Sequence, residues 1–339
     1  MGTERGAADP GGVSAGAFVV TLTPNPSLDR TFVIDGLRRG EVLRASSTSL
    51  VPSGKGVNVS RAVAANGRPT LAVLPIGGPD GEHLAHALTT DGIDLRIVAI
   101  RGRIRSNVTV LEPDGTATKL NEPGPEIDAD EAARMTDAAL SAAADVGAGW
   151  LVGSGSLPRG APTGFYADLV RRAGVPVGNR PAVAIDVTGT ELLDAAAAGA
   201  TLVKPNTAEL AEVVGAGLHT VGDVVRAAHE LRRRGAGSVL ASMGADGAVL
   251  VAGAGTWFAG VHTRGFVSAV GAGDALLAGF LLGGAFEDPG AGLAVAVALA
   301  ARRCEIDATA QPRIVDAAPA QARMLTTEIA ARTLDEPAA

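Results

Sequence analysis

Cysteine, lysine, aromatic residues and long apolar runs are all scarce in this chain of 339 residues. Cys304 is the single cysteine, which excludes an internal disulfide and favours a reducing compartment. Aromatic residues make up only 3% of the chain, so a core must be built mainly from Ala, Val, Leu and Ile. The most apolar later run, Gly292 to Ala301, is far shorter than the roughly 20 residues that span a bilayer. We therefore expect a cytoplasmic protein without a membrane partner.

Positive charge is also scarce, and the net charge of −7 argues against a nucleic-acid partner because no overall positive field attracts phosphate backbones. The only lysines are Lys55, Lys119 and Lys204. An ammonium group is a compact, flexible charge that the planar arginine fork does not reproduce. Each lysine lies in a segment that looks functional on other grounds, which supports a role for these segments.

Short apolar runs bounded by Gly, Pro, Asn or Asp alternate with amphipathic helical stretches. The predicted strands include 18–23, 71–76, 150–153, 183–187, 201–204 and 238–242, and the predicted helices include 57–66, 131–144 and 221–234. This alternation predicts an α/β fold with a doubly wound, mostly parallel sheet and helices on both faces. Ligands of such folds bind at the carboxyl ends of the strands.

One region breaks the alternation and predicts a small β lid. Ser106 to Leu111 and Thr116 to Leu120 flank a Pro-Asp-Gly turn, which is typical of a hairpin. A second β-prone patch covers 31–34 and 42–50. We expect one domain over 18–335, with the lid from about 29–50 and 99–122. Residues 1–17 lack the apolar core of a signal peptide and predict a disordered tail.

The most informative motif is the small-residue loop Gly271-Ala272-Gly273, followed at once by Asp274 and an apolar helix. Such a loop lets backbone N–H groups approach an anion, and the helix dipole adds positive charge there. A carboxylate beside an anion site suits a base that takes the proton from an attacking hydroxyl during phosphoryl transfer. The alternative is a tight turn in which Asp274 merely caps the helix.

A second glycine-rich turn, Gly54-Lys55-Gly56, precedes a helix that carries Asn58. It is not a Walker A loop, since neither Ser nor Thr follows the lysine, and the dinucleotide pattern is absent as well. Backbone groups and the Asn58 amide could bind sugar hydroxyls here, and the alternative is a plain helix start.

Four further polar residues follow predicted strands or open the hairpin. Asp29 could hold two sugar hydroxyls or be a turn residue, and Arg105 suits bidentate phosphate binding although an exposed arginine is common. Asn206 and Glu209 share one helix face and could hold Mg²⁺ through its waters. The alternative for this pair is a capping box at a helix start.

Taken in order, these motifs resemble the ribokinase-like sugar kinases in their phosphofructokinase B branch, from Thr21 to about Ala285. The matching segments are Thr23-Pro24-Asn25-Pro26-Ser27-Leu28-Asp29, Gly54-Lys55-Gly56-Val57-Asn58-Val59-Ser60-Arg61, Gly155-Ser156-Leu157-Pro158, Lys204-Pro205-Asn206 with Glu209, Ser242-Met243-Gly244, and Gly271-Ala272-Gly273-Asp274. The resemblance implies a doubly wound α/β core with a β lid that often pairs in a homodimer.

The resemblance also implies roles for individual residues, with ATP and Mg²⁺ as cofactors and a hexose phosphate as substrate. Asp274 would be the base, and Gly271, Ala272 and Gly273 would form the anion hole. The implied substrate contacts are Asp29, Arg44, Gly54, Lys55, Asn58, Arg105, Asn107 and Ser156. The implied ATP contacts are Lys204, Asn206, Ser242, Gly244 and Gly247, with Glu209 and Asn206 contacting the metal through water.

Within the branch, Arg39 to Val42 and Lys119 to Gly124 are most similar to kinases that phosphorylate fructose 1-phosphate at its 6-hydroxyl. Kinases of tagatose 6-phosphate or fructose 6-phosphate come next. A silent sugar-phosphate-binding regulator on the same fold is the rival of another class, and the intact anion loop with its acid argues against it. Two departures from the family pattern are Ser53 in place of Gly and Ala269 in place of Thr.

Overall fold

The computed structural model describes residues 18–338 except 177, 179, 286 and 308, so the predicted tail over 1–17 lies outside the described residues. The strands are β1 (Val19–Leu22), β2 (Ser27–Val33), β3 (Ser47–Ser53), β4 (Thr70–Ile76), β5 (Asp94–Ala99), β6 (Arg105–Leu111), β7 (Ala117–Asn121), β8 (Trp150–Ser154), β9 (Ala182–Asp186), β10 (Leu202–Val203), β11 (Leu218–Thr220), β12 (Ser238–Ser242), β13 (Ala248–Ala252), β14 (Gly255–Gly260), β15 (Gln321–Met324) and β16 (Thr333–Ala338). The helices are α1 (Lys55–Ala65), α2 (Gly78–Thr90), α3 (Ala129–Asp145), α4 (Phe165–Ala173), α5 (Thr190–Ala197), α6 (Thr207–Val214), α7 (Val221–Arg233), α8 (Ala272–Leu282), α9 (Pro289–Cys304) and α10 (Thr327–Ala330). None of these described helices combines the length and the apolar character needed to cross a membrane.

The main sheet has ten strands in the described part of the chain, in the order β15-β14-β13-β12-β10-β9-β8-β1-β4-β5. The strands from β12 to β5 pair in parallel, whereas β13, β14 and β15 extend one edge by antiparallel pairing. The prediction of a mostly parallel sheet is therefore confirmed. The antiparallel pairing of β12 with β13 and of β13 with β14 arises because short turns join these strands without a crossover helix.

Both faces of this sheet are covered by helices, and the strand side chains alternate between the two layers. Val20 packs into a cluster with residues of α3, α4, α5, α6 and α7, whereas its neighbour Val19 packs with residues of α1, α8 and α9. In β8, Leu151 and Val152 divide in the same way. Successive side chains of a strand point to opposite faces, so both faces of these apolar strands are buried, as expected for a parallel sheet.

The predicted β lid is a second, four-stranded sheet in the order β3-β2-β6-β7. The hairpin of β6 and β7 is confirmed, and it closes where Gly115 N donates to Glu112 O at 3.0 Å. The lid is mixed, since β2 pairs with β3 in antiparallel and with β6 in parallel. Its second half begins at Arg105 rather than near residue 99, because β5 pairs with β4 in the main sheet.

Helices α1 and α8, on the same face of the sheet, both begin without a side-chain cap. Gly54 precedes α1 with φ 128°, and Gly271 precedes α8 with φ 79°. These backbone angles favour glycine, and a Cβ on Gly54 would also lie 2.8 Å from Thr23 Cγ2. The first N–H groups of a helix have no acceptor within the helix, so these two helix starts carry partial positive charge without a capping side chain.

Candidate active site

Asp274 lies in the first turn of α8 and is buried, with 7% of its surface exposed. Asn58 Nδ2, from α1, donates a hydrogen bond to Asp274 Oδ2 at 2.7 Å. Burial, together with the nearby charge of Asp186, raises the pKa of Asp274 from 3.8 to about 6, against the opposing effects of Asn58, Lys204 and Lys55. A carboxylate with this pKa is mostly ionised at neutral pH and can still accept a proton from a hydroxyl.

Asp186, at the end of β9, holds two of the three lysines together. Lys55 Nζ donates to Asp186 Oδ1 at 2.8 Å, and Lys204 Nζ lies 3.2 Å from Asp186 Oδ2. Asp186 is fully buried and Lys204 nearly so. Burial lowers the pKa of Lys55, but the charge and hydrogen bond of Asp186 outweigh that effect, so the pKa lies above its usual value. The cluster therefore carries two cations and one anion.

The lysine cluster lies next to the loop that opens α8. A Cβ on Gly273 would lie 3.2 Å from Lys204 Nζ, so the loop and the ammonium group are close neighbours. Asp186 is a functional candidate that the sequence motifs did not predict. The available signal was an acidic residue that ends a short apolar strand, since such a buried carboxylate needs a cationic partner.

Asp29 and Asn107 lie opposite each other on β2 and β6 of the lid. Ser27 Oγ and Asn107 Nδ2 both donate to Asp29 Oδ1, at 2.7 and 2.9 Å. Arg105 lies on the same strand as Asn107, and burial lowers its pKa while the charge of Asp29 raises it. Because an arginine stays protonated in proteins, this part of the lid combines a charged guanidinium, a carboxylate and an amide.

Several buried polar atoms near β1, β8 and the lid strands have no hydrogen-bond partner among the described residues. They are Thr23 Oγ1, Asn25 Oδ1, Ser154 Oγ, Arg105 Nε and Asn107 Oδ1. The amide of Asn25 does donate to Ser156 Oγ at 3.3 Å, which links the loop after β1 to the predicted substrate residue after β8. Unsatisfied buried polar atoms are rare in folded proteins. A polar ligand bound here would supply the missing hydrogen-bond partners.

Shortly after β10, Asn206 and Glu209 form a capping box at the start of α6. Glu209 N donates to Asn206 Oδ1 at 2.8 Å, and Asn206 N donates to Glu209 Oε2 at 2.9 Å. Burial raises the pKa of Glu209, against the hydrogen bond from Asn206 and the charges of Lys55 and Lys204. The described residues contain no group of three or more His, Cys, Asp or Glu side chains that could hold a metal ion.

The remaining predicted ATP residues lie beside this helix start. Ser242 forms a parallel bridge with Asn206, and Ser242 N donates to Pro205 O at 3.1 Å. Gly244 and Gly247 bound the turn between β12 and β13. Gly247 has φ 93°, and a Cβ there would lie 2.1 Å from Ala259 O, so the turn itself requires this glycine.

The match to a family model decides which family these residues belong to. The model described as pfkB family carbohydrate kinase matches residues 24–307. This chain is a pfkB family carbohydrate kinase. The predicted resemblance to this family is thereby confirmed, and the family implies that ATP is the phosphoryl donor.

Relatives of this pfkB kinase carry two different names. A 1-phosphofructokinase of Haloferax volcanii is 37% identical over 265 residues, covering 78% of this chain and 83% of the relative. An ATP-dependent 6-phosphofructokinase isozyme 2 of Mycobacterium tuberculosis is 36% identical over 272 residues, covering 78% and 77%. The crystal structure of phosphofructokinase-2 from Escherichia coli in complex with potassium has a TM-score of 0.78 and 28% identity, covering 88% of this chain and 96% of that one. This similarity confirms the ribokinase-like fold.

Two residues that the sequence singles out in this kinase are exposed. Arg44 is exposed on the chain segment before β3, and Lys119 is exposed on β7. No hydrogen bond or ion pair within the described chain links either side chain to Asp274 or Lys55. The substrate role of Arg44 stays a prediction.

Proposed function

We propose that this pfkB kinase transfers the γ-phosphoryl group of ATP to the 6-hydroxyl of fructose 1-phosphate, giving fructose 1,6-bisphosphate and ADP. The observation that carries the proposal is the buried Asp274 at the uncapped start of α8. Its hydrogen bond to Asn58 ties it to α1, which begins at Lys55 and bounds the other side of the cluster. A relative named 1-phosphofructokinase at 37% identity supports the choice of sugar.

In the proposed step, the 6-oxygen of the sugar forms a bond to the γ-phosphorus while the bond from that phosphorus to the bridging oxygen of ADP breaks. The hydroxyl proton moves to the carboxylate of Asp274, and the electron pair of the broken bond stays on ADP. Asn58 fixes the orientation of that carboxylate through its 2.7 Å hydrogen bond. The N–H groups at the start of α8 and the ammonium of Lys204 would stabilise charge on the transferred group.

The lid residues would bind the sugar phosphate. Asp29 and Asn107 offer acceptors and an amide for sugar hydroxyls, and Arg105 supplies a charge for the existing phosphate. The unsatisfied Arg105 Nε and Asn107 Oδ1 would gain partners in this complex. Because fructose 1-phosphate presents its 6-hydroxyl and the 6-phosphates present their 1-hydroxyl, both kinds of substrate fit the same charge pattern. The 6-phosphofructokinase name of the other relative keeps fructose 6-phosphate as the alternative.

ATP would lie along α6 and the turn after β12, where Asn206, Ser242 and Gly244 are adjacent. Mg²⁺ would arrive with the phosphates, and Glu209 would contact it through water, since the capping box uses Glu209 Oε2 and leaves Oε1 without a described hydrogen bond. When bound, Mg²⁺ neutralises charge on the phosphate oxygens.

We also propose that the kinase is a homodimer that pairs through its lids. The edge strands β3 and β7 expose backbone groups that monomers usually protect, and Leu120 on β7 is 63% exposed. A two-fold contact would cover both features. Light scattering should give a dimer mass at micromolar concentration, and a fully active monomer would contradict the proposal. A cytoplasmic location stays a prediction from cysteine usage.

The substrate proposal is tested by measuring ADP formation from Mg·ATP with fructose 1-phosphate, fructose 6-phosphate and tagatose 6-phosphate, each titrated separately. We expect kcat/KM for fructose 1-phosphate to exceed the others by at least about 10-fold, which is about 1.4 kcal/mol in transition-state binding. The variant Asp274→Asn serves as the control for background ATP hydrolysis. If either 6-phosphate ranks first, the choice of sugar is wrong and the kinase assignment stands.

A further inference from the structure

Arg303 is a buried arginine that the proposed chemical step does not use. It lies in the last turn of α9 and is 7% exposed. Its Nε donates to Val270 O at 3.0 Å, and its Nη1 donates to Asp307 O at 2.8 Å and to Ala310 O at 3.1 Å. All of its hydrogen bonds within the described chain go to backbone carbonyl oxygens. The buried guanidinium thus donates hydrogen bonds to three carbonyl oxygens, which belong to two separate loops.

One of these loops is the segment that opens α8. Val270 directly precedes Gly271, the residue at the cap of that helix. The neighbouring Cys304 O accepts hydrogen bonds from Val267 N at 2.7 Å and from Ser268 N at 3.2 Å. A Cβ on Gly271 would lie 3.5 Å from Arg303 Nε, so the guanidinium packs directly against the cap residue. The end of α9 therefore fixes the chain that leads into the anion loop.

The charge of Arg303 persists despite its burial. Burial lowers the pKa of the guanidinium, and the carboxylates of Asp307 and Asp274 oppose that effect. Arginine stays protonated in proteins even when its pKa falls. Carbonyl oxygens are the ligands that replace the water shell of a monovalent cation in protein sites. The guanidinium therefore occupies a position that such a cation could fill if the side chain were shorter.

We infer that Arg303 is a positioning residue, a built-in cation that fixes the Val270 carbonyl and thereby orients the Gly271 to Gly273 loop for the transferred phosphoryl group. This inference rests on the proposed kinase step. It has a direct consequence for ion dependence: because the side chain supplies the cation, the enzyme needs no added monovalent cation for full activity.

The test uses the full chain and the variants Arg303→Met, Arg303→Lys and Arg303→Ala. We expect Arg303→Met to lower kcat about 10- to 100-fold, the scale of a misplaced reacting group, while KM for the sugar phosphate changes little. Arg303→Lys should keep more activity because it keeps the charge. The matched control is Arg302→Met, which removes the neighbouring guanidinium that pairs with Glu305 and should leave kcat unchanged.

Ion replacement supplies the decisive readout. Wild-type activity should be the same in potassium chloride and in tetramethylammonium chloride of equal ionic strength, whereas Arg303→Ala should regain part of its kcat with potassium or guanidinium ions. A wild type that requires potassium, or an Arg303→Met variant with normal kcat, would overturn the inference. If Arg303→Met does not fold, the wild-type ion dependence and Arg303→Lys still decide.

A measurement without turnover separates this inference from the proposed function. Potassium chloride, compared with tetramethylammonium chloride, should raise the Tm of Arg303→Ala and leave the Tm of the wild type unchanged. If these Tm values behave as expected but no sugar phosphate is turned over, the proposed function fails and the cation role of Arg303 stands. If turnover is normal and Arg303→Ala responds to no cation in either kcat or Tm, only the inference fails.

Discussion

Replacing Asp274 with Asn should have opposite effects on activity and stability. The amide keeps the shape of the side chain and can still accept the hydrogen bond from Asn58. It cannot take a proton from a sugar hydroxyl, so kcat should fall by about 10²- to 10⁴-fold, the usual contribution of a general base. Binding of ATP and sugar phosphate should change little, because a base acts mainly on the transition state.

The effect on stability follows from the raised pKa. Asp274 has a pKa of about 6 in the folded protein against an ordinary value of 3.8, so folding favours the protonated acid. The stability associated with this proton is fully present below about pH 4 and is lost as the pH rises through about 6. Two pKa units correspond to about 3 kcal/mol. The variant should therefore be more stable than the wild type by up to about 3 kcal/mol at about pH 8.

Thermal unfolding of both proteins at several pH values measures this difference. The stability advantage of Asp274→Asn should grow by about 1 kcal/mol between about pH 5 and pH 8, which appears as a Tm difference that widens with pH. The matched control is Asp130→Asn, an exposed acid in the first turn of α3, which should leave kcat unchanged. A variant with near-normal kcat, or one whose Tm advantage shrinks as the pH rises, would refute the reasoning.

Other perturbations probe the charges around Asp274. Wild-type kcat/KM should fall as the pH drops through about 6. Asp186→Asn should move this fall in the pH–rate profile to lower pH, because the Asp186 charge raises the pKa of Asp274. A fall at the same pH in the variant would argue against that coupling. Glu209→Gln should raise the Mg²⁺ concentration needed for half-maximal rate and leave sugar binding unchanged, whereas an identical Mg²⁺ titration would leave Glu209 only its role in the capping box. Arg105→Ala should raise KM for the sugar phosphate about 10- to 100-fold through loss of a charge-assisted contact, with KM for ATP as the internal control; an unchanged sugar KM would remove Arg105 from the phosphate site.

The parallel part of the fold was predictable because buried strands leave a strong local signal. Each is a short apolar run bounded by Gly, Pro, Asn or Asp, as in β12, whose bounds match the prediction. The edge strand β15 was not predicted, since three of its four residues are exposed or polar and no alternation marks it. Strand β16 depends on pairing with β11, more than a hundred residues earlier in the chain, which no local pattern reveals.

Some features of the site could also be predicted from short segments of sequence, whereas others depend on residues that are far apart in the chain. The loop before Asp274 and the Gly-Lys-Gly turn are contiguous motifs, so their chemistry could be inferred from residue type and spacing. The capping box of Asn206 and Glu209 has the spacing that also suits a metal contact. The coordinates show that the capping box forms, and the metal contact stays a proposal. The central position of Asp186 depends on lysines from two other segments, and no spacing in the sequence links them.

The most direct test of the account is a competition in one tube. Purified full-length protein receives Mg·ATP with equal concentrations of fructose 1-phosphate and fructose 6-phosphate, and phosphorus NMR follows the disappearance of each. The ratio of the two initial rates equals the ratio of the two kcat/KM values, free of differences in enzyme concentration. We expect fructose 1-phosphate to be consumed at least about 10-fold faster, and Asp274→Asn to consume it about 10²- to 10⁴-fold more slowly than the wild type does. Equal consumption of the two sugars, or faster loss of fructose 6-phosphate, would contradict the proposed substrate, and normal turnover by Asp274→Asn would contradict the proposed base.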